Sequence, residues 1–409
     1  MLVVNPRATR APYPGELKEI LSIGKAKESR AWLSCWDKIS PGATPLYELP
    51  GLAAGLEVGS VSVKDESARS VLGSFKALGA PIALVRLIQR LWPDHGLDAR
   101  GLFEGRYREL LAHFTVVSAT DGNHGKGLAA GAQTLGCHCV IVLHANVSVE
   151  REKAIAAYGA EIVRITGNYD ESVEEAARLA SLNGWHVVSD TSYDGYEDIP
   201  RDVMQGYGTI AAEIVGQSDS QPGQPAYTHV FLQGGVGGLA AGLVSYLWEF
   251  HGEHRPRFIV VEPQQADCLY QSALAGHAAR ATGSVDSVMA GLACGETSPL
   301  AWKFLQPGVD GFMTISDDDA VNAMRTLSAG SDVDVPIVAG ESGVAGLAGL
   351  IVLLQDRQLA TQVGIDASSR ILLVNTEGAT APATYEQLVG ETAESVLERQ
   401  LAWRAKAIA

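Results

Sequence analysis

The sequence predicts an α/β fold made of two parallel-sheet units. From about residue 114, short apolar runs alternate with helical patterns of about 10–15 residues, which is typical of crossover connections and therefore of a parallel sheet. A second series of buried strands begins near residue 228. With 409 residues the chain is long for one hydrophobic core, so we expect two units with a cleft between them.

The first unit is predicted from strands that alternate with amphipathic helices. The helices carry start and stop signals: Ser148 stands where an N-cap is expected, and glycines follow the last apolar positions. The expected strands are 114–119, 138–145, 160–167 and 185–191, and the expected helices are 123–136, 148–159 and 169–184.

The second unit is predicted from a strand, a glycine loop and a helix within 228–250, strands over 256–263 and 369–378, and a helix over 341–356. Residues 216–227, GQSDSQPGQPAY, have the composition of a linker. We therefore predict a smaller domain over 85–215 and a larger domain made of 1–84 and 216–409.

The net charge and the hydropathy of the sequence limit the classes of binding partner that can be expected. The net charge of −16 argues against nucleic acid and against an anionic membrane surface, since both need a basic face. The longest apolar run, 343–354, is too short to span a bilayer, so a soluble, cytoplasmic protein is expected. Five cysteines do not suggest a disulfide scaffold, and no metal site is predicted.

Three loops follow predicted strands and precede helices, which is where open α/β folds bind ligands: 118–125, 233–238 and 375–380. The second, QGGVGG, offers backbone N–H groups at a helix N-terminus and favours a phosphate. A dinucleotide is the alternative, because Gly235, Gly237 and Ala240 match G-x-G-x-x-A and Glu262 ends the next strand.

Lys76 lies in the apolar stretch GSFKALGA, with no acidic residue within four positions. Burial makes an amine lose its proton more easily, so the pattern predicts a nucleophilic lysine. The polar loop SATDGNHG offers hydroxyls, N–H groups and the Asn123 amide to a ligand, although it could also be only a helix cap. Lys76, Asn123 and the glycine loop together suit pyridoxal 5′-phosphate, with Asn123 binding its phenolic oxygen.

The sequence resembles the tryptophan-synthase β-like pyridoxal-phosphate enzymes of fold type II, and among them the diaminopropionate ammonia-lyase family. The matching stretches cover roughly residues 40–380; they are VKDES (63–67), SFKALGA (74–80), ATDGNHGKG (119–127), DTSYDGYEDIP (190–200), MQGYGT (204–209), VEPQQADCLY (261–270), MAGLACGE (289–296), GESG (340–343) and TEGAT (376–380).

The resemblance implies a reaction: elimination of D- and/or L-2,3-diaminopropionate to pyruvate and two ammonia. It implies Lys76 as the Schiff-base lysine and Asp121 and Asp190 as catalytic acids, with Ser118 and Thr120 also at the substrate. A hydroxyl usually meets the ring nitrogen in this fold, so Thr376, or less naturally Asn375, is expected there. The implied phosphate loop is Gly234, Gly235, Val236, Gly237 and Gly238.

Other functions stay open. Serine and threonine dehydratases of the same fold usually have Ser where this chain has Asp121, so a dehydratase is the first alternative and a nicotinamide oxidoreductase a distant one. A non-catalytic amino-acid-binding relative would not need Lys76. Cys268 and Cys294 either pair or stay reduced, and His124 is expected to be structural. A homodimer is usual in this fold.

Overall fold

The computed structural model describes residues 1–120, 122–145, 147–167 and 169–408. The strands are β1 (Leu2–Val4), β2 (Leu46–Glu48), β3 (Ser60–Asp65), β4 (Thr115–Ala119), β5 (His138–Leu143), β6 (Glu161–Arg164), β7 (His186–Val187), β8 (His229–Gln233), β9 (Arg257–Pro263), β10 (Gly311–Ile315) and β11 (Arg370–Asn375).

The helices are α1 (Gly15–Ile20), α2 (Ile23–Leu33), α3 (Pro50–Gly55), α4 (Ala80–Leu91), α5 (Ala99–Phe103), α6 (Arg108–Leu111), α7 (Asn123–Leu135), α8 (Val149–Ala156), α9 (Tyr169–Asn183), α10 (Asp198–Gln217), α11 (Gly238–His251), α12 (Cys268–Ala275), α13 (Pro299–Gly308), α14 (Asp317–Ala329), α15 (Ala345–Gln355), α16 (Arg357–Gln362), α17 (Pro382–Val389) and α18 (Ala393–Ile408). Short 3₁₀ turns include Glu66–Ala68 and Phe75–Leu78.

The strands of the described residues form two sheets. The larger has the order β1-β10-β9-β8-β11-β3-β2, with antiparallel pairing only at its two edges, and the smaller has the order β6-β5-β4-β7 with every pair parallel. The predicted α/β class with two parallel-sheet units is confirmed. The N-terminal strands β1 to β3 were not predicted. Two of them, β1 and β2, have only three residues each.

Helices cover both faces of the larger sheet, so almost every residue of its central strands is buried, including polar ones such as Lys64 and Gln233. All five residues of β8 are buried. Side chains of β11 alternate between two cores: Leu372 and Val374 pack with Phe75 and Leu78, whereas Leu373 belongs to the core on the opposite face. The lysine turn Phe75–Leu78 therefore belongs to the core on the same face of the sheet as Leu372 and Val374.

Helix α10 is the main element that the sequence analysis missed. It lies where the chain turns toward the linker, and buried polar residues such as Gln205 and Glu213 obscure its apolar face. Its glycines allow close packing: a Cβ on Gly206 would lie 2.0 Å from the Leu78 carbonyl oxygen, and one on Gly208 would lie 2.7 Å from Ala26 Cβ. Strand β7 is also shorter than predicted, with two residues only.

The smaller sheet lies between residues 115 and 187, and α10 packs against α2, α4 and α11. The domain division at 85 and 215 stays a prediction. Among the described residues, none of the helices combines the length and apolar character that crossing a bilayer requires.

Candidate active site

Lys76 and Asp190 form an ion pair. Lys76 lies in the 3₁₀ turn between β3 and α4, and Asp190 follows β7 of the smaller sheet. The Lys76 Nζ atom donates a hydrogen bond to Asp190 Oδ2. The two side chains are only 20% and 25% exposed, so the pair is shielded but reachable.

The pair changes the expected protonation of the lysine. Burial lowers the pKa of Lys76, but the Asp190 carboxylate outweighs that effect and raises the pKa above its usual value. Burial likewise opposes ionisation of Asp190, but the Lys76 ammonium holds the pKa of Asp190 below its usual range. The expectation that apolar surroundings depress the pKa of Lys76 is wrong, because the ion pair with Asp190 raises it. Local sequence could not reveal this partner, which lies 114 positions away.

His124 supports the Asp190 side of the site. Its ring is buried, and Nε2 bonds the Val188 carbonyl at 2.9 Å, so Nε2 carries the proton and Nδ1 does not. Nδ1 lies 3.8 Å from Asp190 Oδ2. Burial is the largest influence on the pKa of His124 and lowers it. His124 therefore acts as a neutral residue that holds the backbone next to Asp190.

The polar loop of the smaller sheet reaches the larger sheet through Asn123. Ser118 is buried near the end of β4, Thr120 follows the strand half-buried, and Asn123 begins α7. The Asn123 side-chain amide donates to Glu377 Oε2, in the loop after β11. The predicted catalytic residue Asp121 lies outside the described residues.

The glycine loop connects β8 to α11, as predicted. The first N–H groups of a helix have no acceptor inside it, so the start of α11 can receive an anion. Gly237 has a φ of +101°, and a Cβ there would lie 2.8 Å from Leu305 Cδ1. A Cβ on Gly235 would lie 3.2 Å from Cys294 Sγ, so side chains are excluded from the loop on this side as well.

The loop after β11 separates the two candidates for the ring nitrogen. The Asn375 amide nitrogen is already bonded to Asp65 Oδ1 at 2.9 Å and to the Val338 carbonyl at 3.0 Å. The Thr376 carbonyl accepts from Phe75 N at 3.0 Å, which places Thr376 next to the lysine turn. The contacts favour Thr376 over Asn375, and its role stays a prediction.

These residues fit pyridoxal 5′-phosphate. Lys76 offers an amine for the aldehyde, the start of α11 offers a helix N-terminus for the phosphate, and Asn123 offers an amide for the phenolic oxygen. In addition, Ser74 Oγ and Tyr207 Oη are buried beside the lysine turn and have no hydrogen-bond partner among the described residues. Unpartnered buried hydroxyls are costly, which is consistent with a site shaped around a polar ligand.

Sequence reasoning missed two residues of this site: Tyr207 and Glu377. Tyr207 and Cys294 both act electrostatically on Lys76, and burial raises the pKa of Cys294 to about 12. Tyr207 and Glu377 lie inside stretches that resemble the family, and this resemblance is the sequence signal that could have identified them. Their placement depended on α10 and on loops between distant strands, which local patterns did not reveal.

Glu262 has a structural role, which removes the main support for a dinucleotide. Its buried carboxylate accepts hydrogen bonds from the backbone N–H groups of Leu269 at 2.8 Å and Tyr270 at 2.7 Å. It thereby satisfies the N-terminus of α12, and no oxygen is left facing a ribose site. The expectation of a ribose-binding acid in this position is wrong.

The two cysteines of the matched stretches are free thiols. Cys268 Sγ is buried and contacts the Gly235 carbonyl oxygen at 3.4 Å, and burial raises the pKa of the Cys268 thiol. Cys294 also lies beside Gly235, where its Sγ atom would be 3.2 Å from a Cβ on that glycine. Both thiols therefore lie against the glycine loop.

A buried ion network lies behind the site and fixes α10. Glu213 Oε2 lies 2.7 Å from Lys64 Nζ and 2.7 Å from Arg69 Nη2, and Arg69 Nε lies 2.7 Å from Glu66 Oε2. Burial opposes ionisation of Glu213, but the bonds to Arg69 and Lys64 lower its pKa overall. The network joins the VKDES stretch to the helix that carries Tyr207.

Comparison with known proteins identifies the family of the chain. Residues 39–377 match the family model described as pyridoxal-phosphate dependent enzyme. The chain is 39% identical to the diaminopropionate ammonia-lyase of Salmonella typhimurium over 354 residues, covering 85% of this chain and 87% of that protein. It is 36% identical to the Escherichia coli K12 diaminopropionate ammonia-lyase, covering 94% and 96%.

A solved structure agrees as well. The crystal structure of the Escherichia coli diaminopropionate ammonia-lyase in complex with an aminoacrylate–PLP azomethine reaction intermediate aligns with a TM-score of 0.84 at 34% identity, covering 95% of this chain and 96% of that chain. The family match, the sequence identity and the shared fold lead to one conclusion: this chain belongs to the pyridoxal-phosphate-dependent enzymes of fold type II and, among them, to the diaminopropionate ammonia-lyase family.

Proposed function

We propose that the chain catalyses the pyridoxal-phosphate-dependent α,β-elimination of 2,3-diaminopropionate, as the D isomer, the L isomer or both, to pyruvate and two ammonia. The observation that carries the proposal is the shielded Lys76–Asp190 pair beside the glycine loop. A carboxylate at the leaving-group side suits a substrate whose β-substituent is an ammonium. Relatives with 36–39% identity over most of the chain have this activity in their names.

When bound, pyridoxal phosphate draws electrons from the substrate Cα, so that the Cα proton can leave and elimination can follow. Lys76 provides the amine that holds the group and then, once neutral, accepts the Cα proton from one face. Because Asp190 keeps Lys76 protonated in the cofactor-free protein, the lysine must lose a proton and leave Asp190 before it can take up the cofactor or act as the base.

Asp190 then has a second task. The positive charge of Lys76 holds the pKa of Asp190 below its usual range, and we propose that the β-ammonium of the substrate takes the place of that charge and stays protonated beside the carboxylate as it leaves. We propose that Asp121 takes the Cα proton from the opposite face, which would allow both isomers to react. The catalytic set is therefore Lys76, Asp121 and Asp190.

The remaining residues bind and orient. We propose that the amides of Gly234, Gly235, Val236, Gly237 and Gly238 hold the phosphate, that Asn123 donates to the phenolic oxygen and that Thr376 meets the ring nitrogen. Ser118 and Thr120, at the end of β4, help to bind the substrate together with Asp121 and Asp190.

A dehydratase is the second candidate. A solved structure at 34% identity is the Escherichia coli ammonia-lyase in complex with D-serine, and the chain is 30% identical over 317 residues to a probable D-serine dehydratase of Burkholderia pseudomallei. A site that admits D-serine in a relative makes a hydroxyl leaving group a concrete alternative for this chain.

The test is to record the visible spectrum of the purified protein and then follow pyruvate and ammonia with D- and L-2,3-diaminopropionate and D-serine separately. We expect a cofactor band that borohydride removes, and two ammonia per pyruvate with diaminopropionate. Faster turnover of D-serine, with one ammonia per pyruvate, would favour the dehydratase. Absence of the band after added cofactor would reject both candidates.

We also infer a homodimer, as is usual in this fold, and a cytoplasmic location. The domain division into 85–215 and 1–84 with 216–409 belongs to the same proposal. Support for the division comes from the two separate sheets, the smaller of which lies within residues 115–187.

A further inference from the structure

Tyr207 is a buried residue of the site to which the proposed reaction assigns no task. It lies on α10 with 1% of its surface exposed. Its Oη atom has no hydrogen-bond partner among the described residues. A buried hydroxyl without a partner is rare in folded proteins, so the position of this atom calls for an explanation.

The Tyr207 ring is held firmly between the lysine turn and the start of α11. Its centroid lies 4.8 Å from that of Phe75, the neighbour of Lys76. A Cβ on Gly79 would lie 2.7 Å from Tyr207 Cε1, and one on Gly238 would lie 3.9 Å from Cε2. The ring therefore occupies the space that a side chain at Gly79 would need, and it is in ordinary contact distance of Gly238.

The same packing places the hydroxyl among the reacting charges. The ring carbon that bears the hydroxyl, Cζ, would lie 2.8 Å from a Cβ on Gly79, and Gly79 N donates to the Lys76 carbonyl oxygen at 3.3 Å. Tyr207, Asp190 and Cys294 are the titratable groups that act on Lys76, and His124 faces Asp190 from α7. Burial raises the pKa of Tyr207, so its hydroxyl stays neutral and can both accept and donate.

We propose that the Tyr207 hydroxyl is a positioning group for Lys76: it accepts a hydrogen bond from the lysine amine once that amine has separated from Asp190, and so keeps it beside the Cα proton. The proposal rests on the proposed function, because only a cofactor that bonds to Lys76, and the reaction that follows, require the amine to leave Asp190. The Asp190 carboxylate holds the amine in the cofactor-free protein, and Tyr207 holds it when it is released to act as the base.

The matched variants are Tyr207→Phe and Tyr385→Phe. Tyr385 is also fully buried with an unpartnered hydroxyl, but it lies on α17 in the core on the opposite face of the sheet. Each variant removes one oxygen from a buried tyrosine. A general packing effect would therefore appear in both, and a positioning effect only in the first.

The first measurement uses the cofactor-free protein. Acetic anhydride labelling of Lys76, followed by peptide mass spectrometry, gives the pH at which the amine becomes reactive. An acceptor of the ammonium favours its charged form, so Tyr207→Phe should move this midpoint to lower pH, and more so in an Asp190→Asn background. Tyr385→Phe should leave it unchanged.

The second measurement is steady-state turnover of 2,3-diaminopropionate. We expect Tyr207→Phe to lower kcat by about 10- to 100-fold, the range for a lost hydrogen bond to a charged group, with KM within about twofold. An unchanged labelling midpoint in both backgrounds, or equal effects of the two Phe variants, would overturn the proposal. Failure of the proposed function would show separately, as a wild-type protein without pyruvate formation.

Discussion

The Lys76 amine donates to the Asp190 carboxylate across the gap between the two sheets: the lysine belongs to the turn after β3, and the acid follows β7. The contact therefore depends on how the two sheets are placed. It also makes the protonation state of the proposed base a property of a residue in the other half of the structure.

Removal of the acid should free the lysine from its raised pKa. Asp190→Asn removes the largest influence that raises the pKa of Lys76 and leaves burial in place, so the pKa should fall, and labelling should begin at lower pH than in the wild type. Turnover should fall by about 10²–10⁴-fold, because the leaving ammonium loses its carboxylate. Asp194→Asn, at an exposed acid of the same loop, is the control. Full activity of Asp190→Asn would contradict the assigned role.

The glycine loop should be intolerant of a side chain at Gly237. Gly237→Ala places a Cβ 2.8 Å from Leu305 in a backbone with φ +101°, and strain of this kind costs about 1–3 kcal/mol. We expect at least about tenfold weaker binding of pyridoxal phosphate, measured by fluorescence titration. Gly252→Ala, at the other end of α11, also has positive φ but meets nothing within 4 Å. It should leave cofactor affinity unchanged, and equal losses would disprove a local effect.

The buried network should be sensitive to loss of one charge. Glu213→Gln leaves Lys64 and Arg69 facing each other without their shared carboxylate, which we expect to lower the free energy of unfolding by about 3–5 kcal/mol. Because the folded-state pKa of Glu213 is lowered, its contribution is present above the unfolded value near 4.5 and is lost as pH falls through the folded value.

Urea unfolding at neutral and at acidic pH tests this network. The difference between wild type and Glu213→Gln should shrink as the pH is lowered. Glu175→Gln, which breaks an exposed pair with Arg178, is the control and should change little, because exposed ion pairs contribute little to stability. A Glu213→Gln protein as stable as the control would show that the network does not stabilise the fold.

Glu341 should produce the opposite pH dependence. Burial, reinforced by the neighbouring Glu377, raises the pKa of Glu341 to about 7 from an unfolded value near 4.5. The folded state therefore binds more protons between these values, so the wild type should lose stability as pH rises through this window, by up to about 1.4 kcal/mol per pH unit.

The matching experiment compares the melting temperatures of wild type and Glu341→Gln from pH 5 to pH 8. We expect a flatter profile for the variant, since its amide does not titrate. Glu398→Gln, at an exposed position of α18, should keep the wild-type slope. The same slope in all three proteins would exclude Glu341 as the source.

Local patterns were sufficient wherever a contact partner lies nearby in sequence. Ser148 caps α8 by accepting from Arg151 N, and the glycine loop joins β8 to α11 as predicted. These features depend on a few adjacent residues and on backbone chemistry. The alternation of strands and helices then fixed the parallel pairing of the central strands.

Distant contacts could not be predicted in this way. The charge that pairs with Lys76 comes from Asp190, and the carboxylate expected at a ribose, Glu262, is instead used by the backbone of α12. Helix α10 stayed hidden because its buried side includes Glu213 and Gln205, whose partners lie on other elements. Polar residues in a core follow no simple periodicity, since each is placed by a specific partner.

The short strand β1 has a consequence for aggregation. It pairs antiparallel with β10, whose five residues GFMTI are all buried. Without β1, this apolar strand would present a free hydrogen-bonding edge to other molecules. We therefore expect a chain that lacks its first residues to self-associate through β10 in a concentration-dependent manner, even though the truncation lies far along the sheet from Lys76. We therefore expect strand β1 to protect the protein against aggregation by covering the edge of β10.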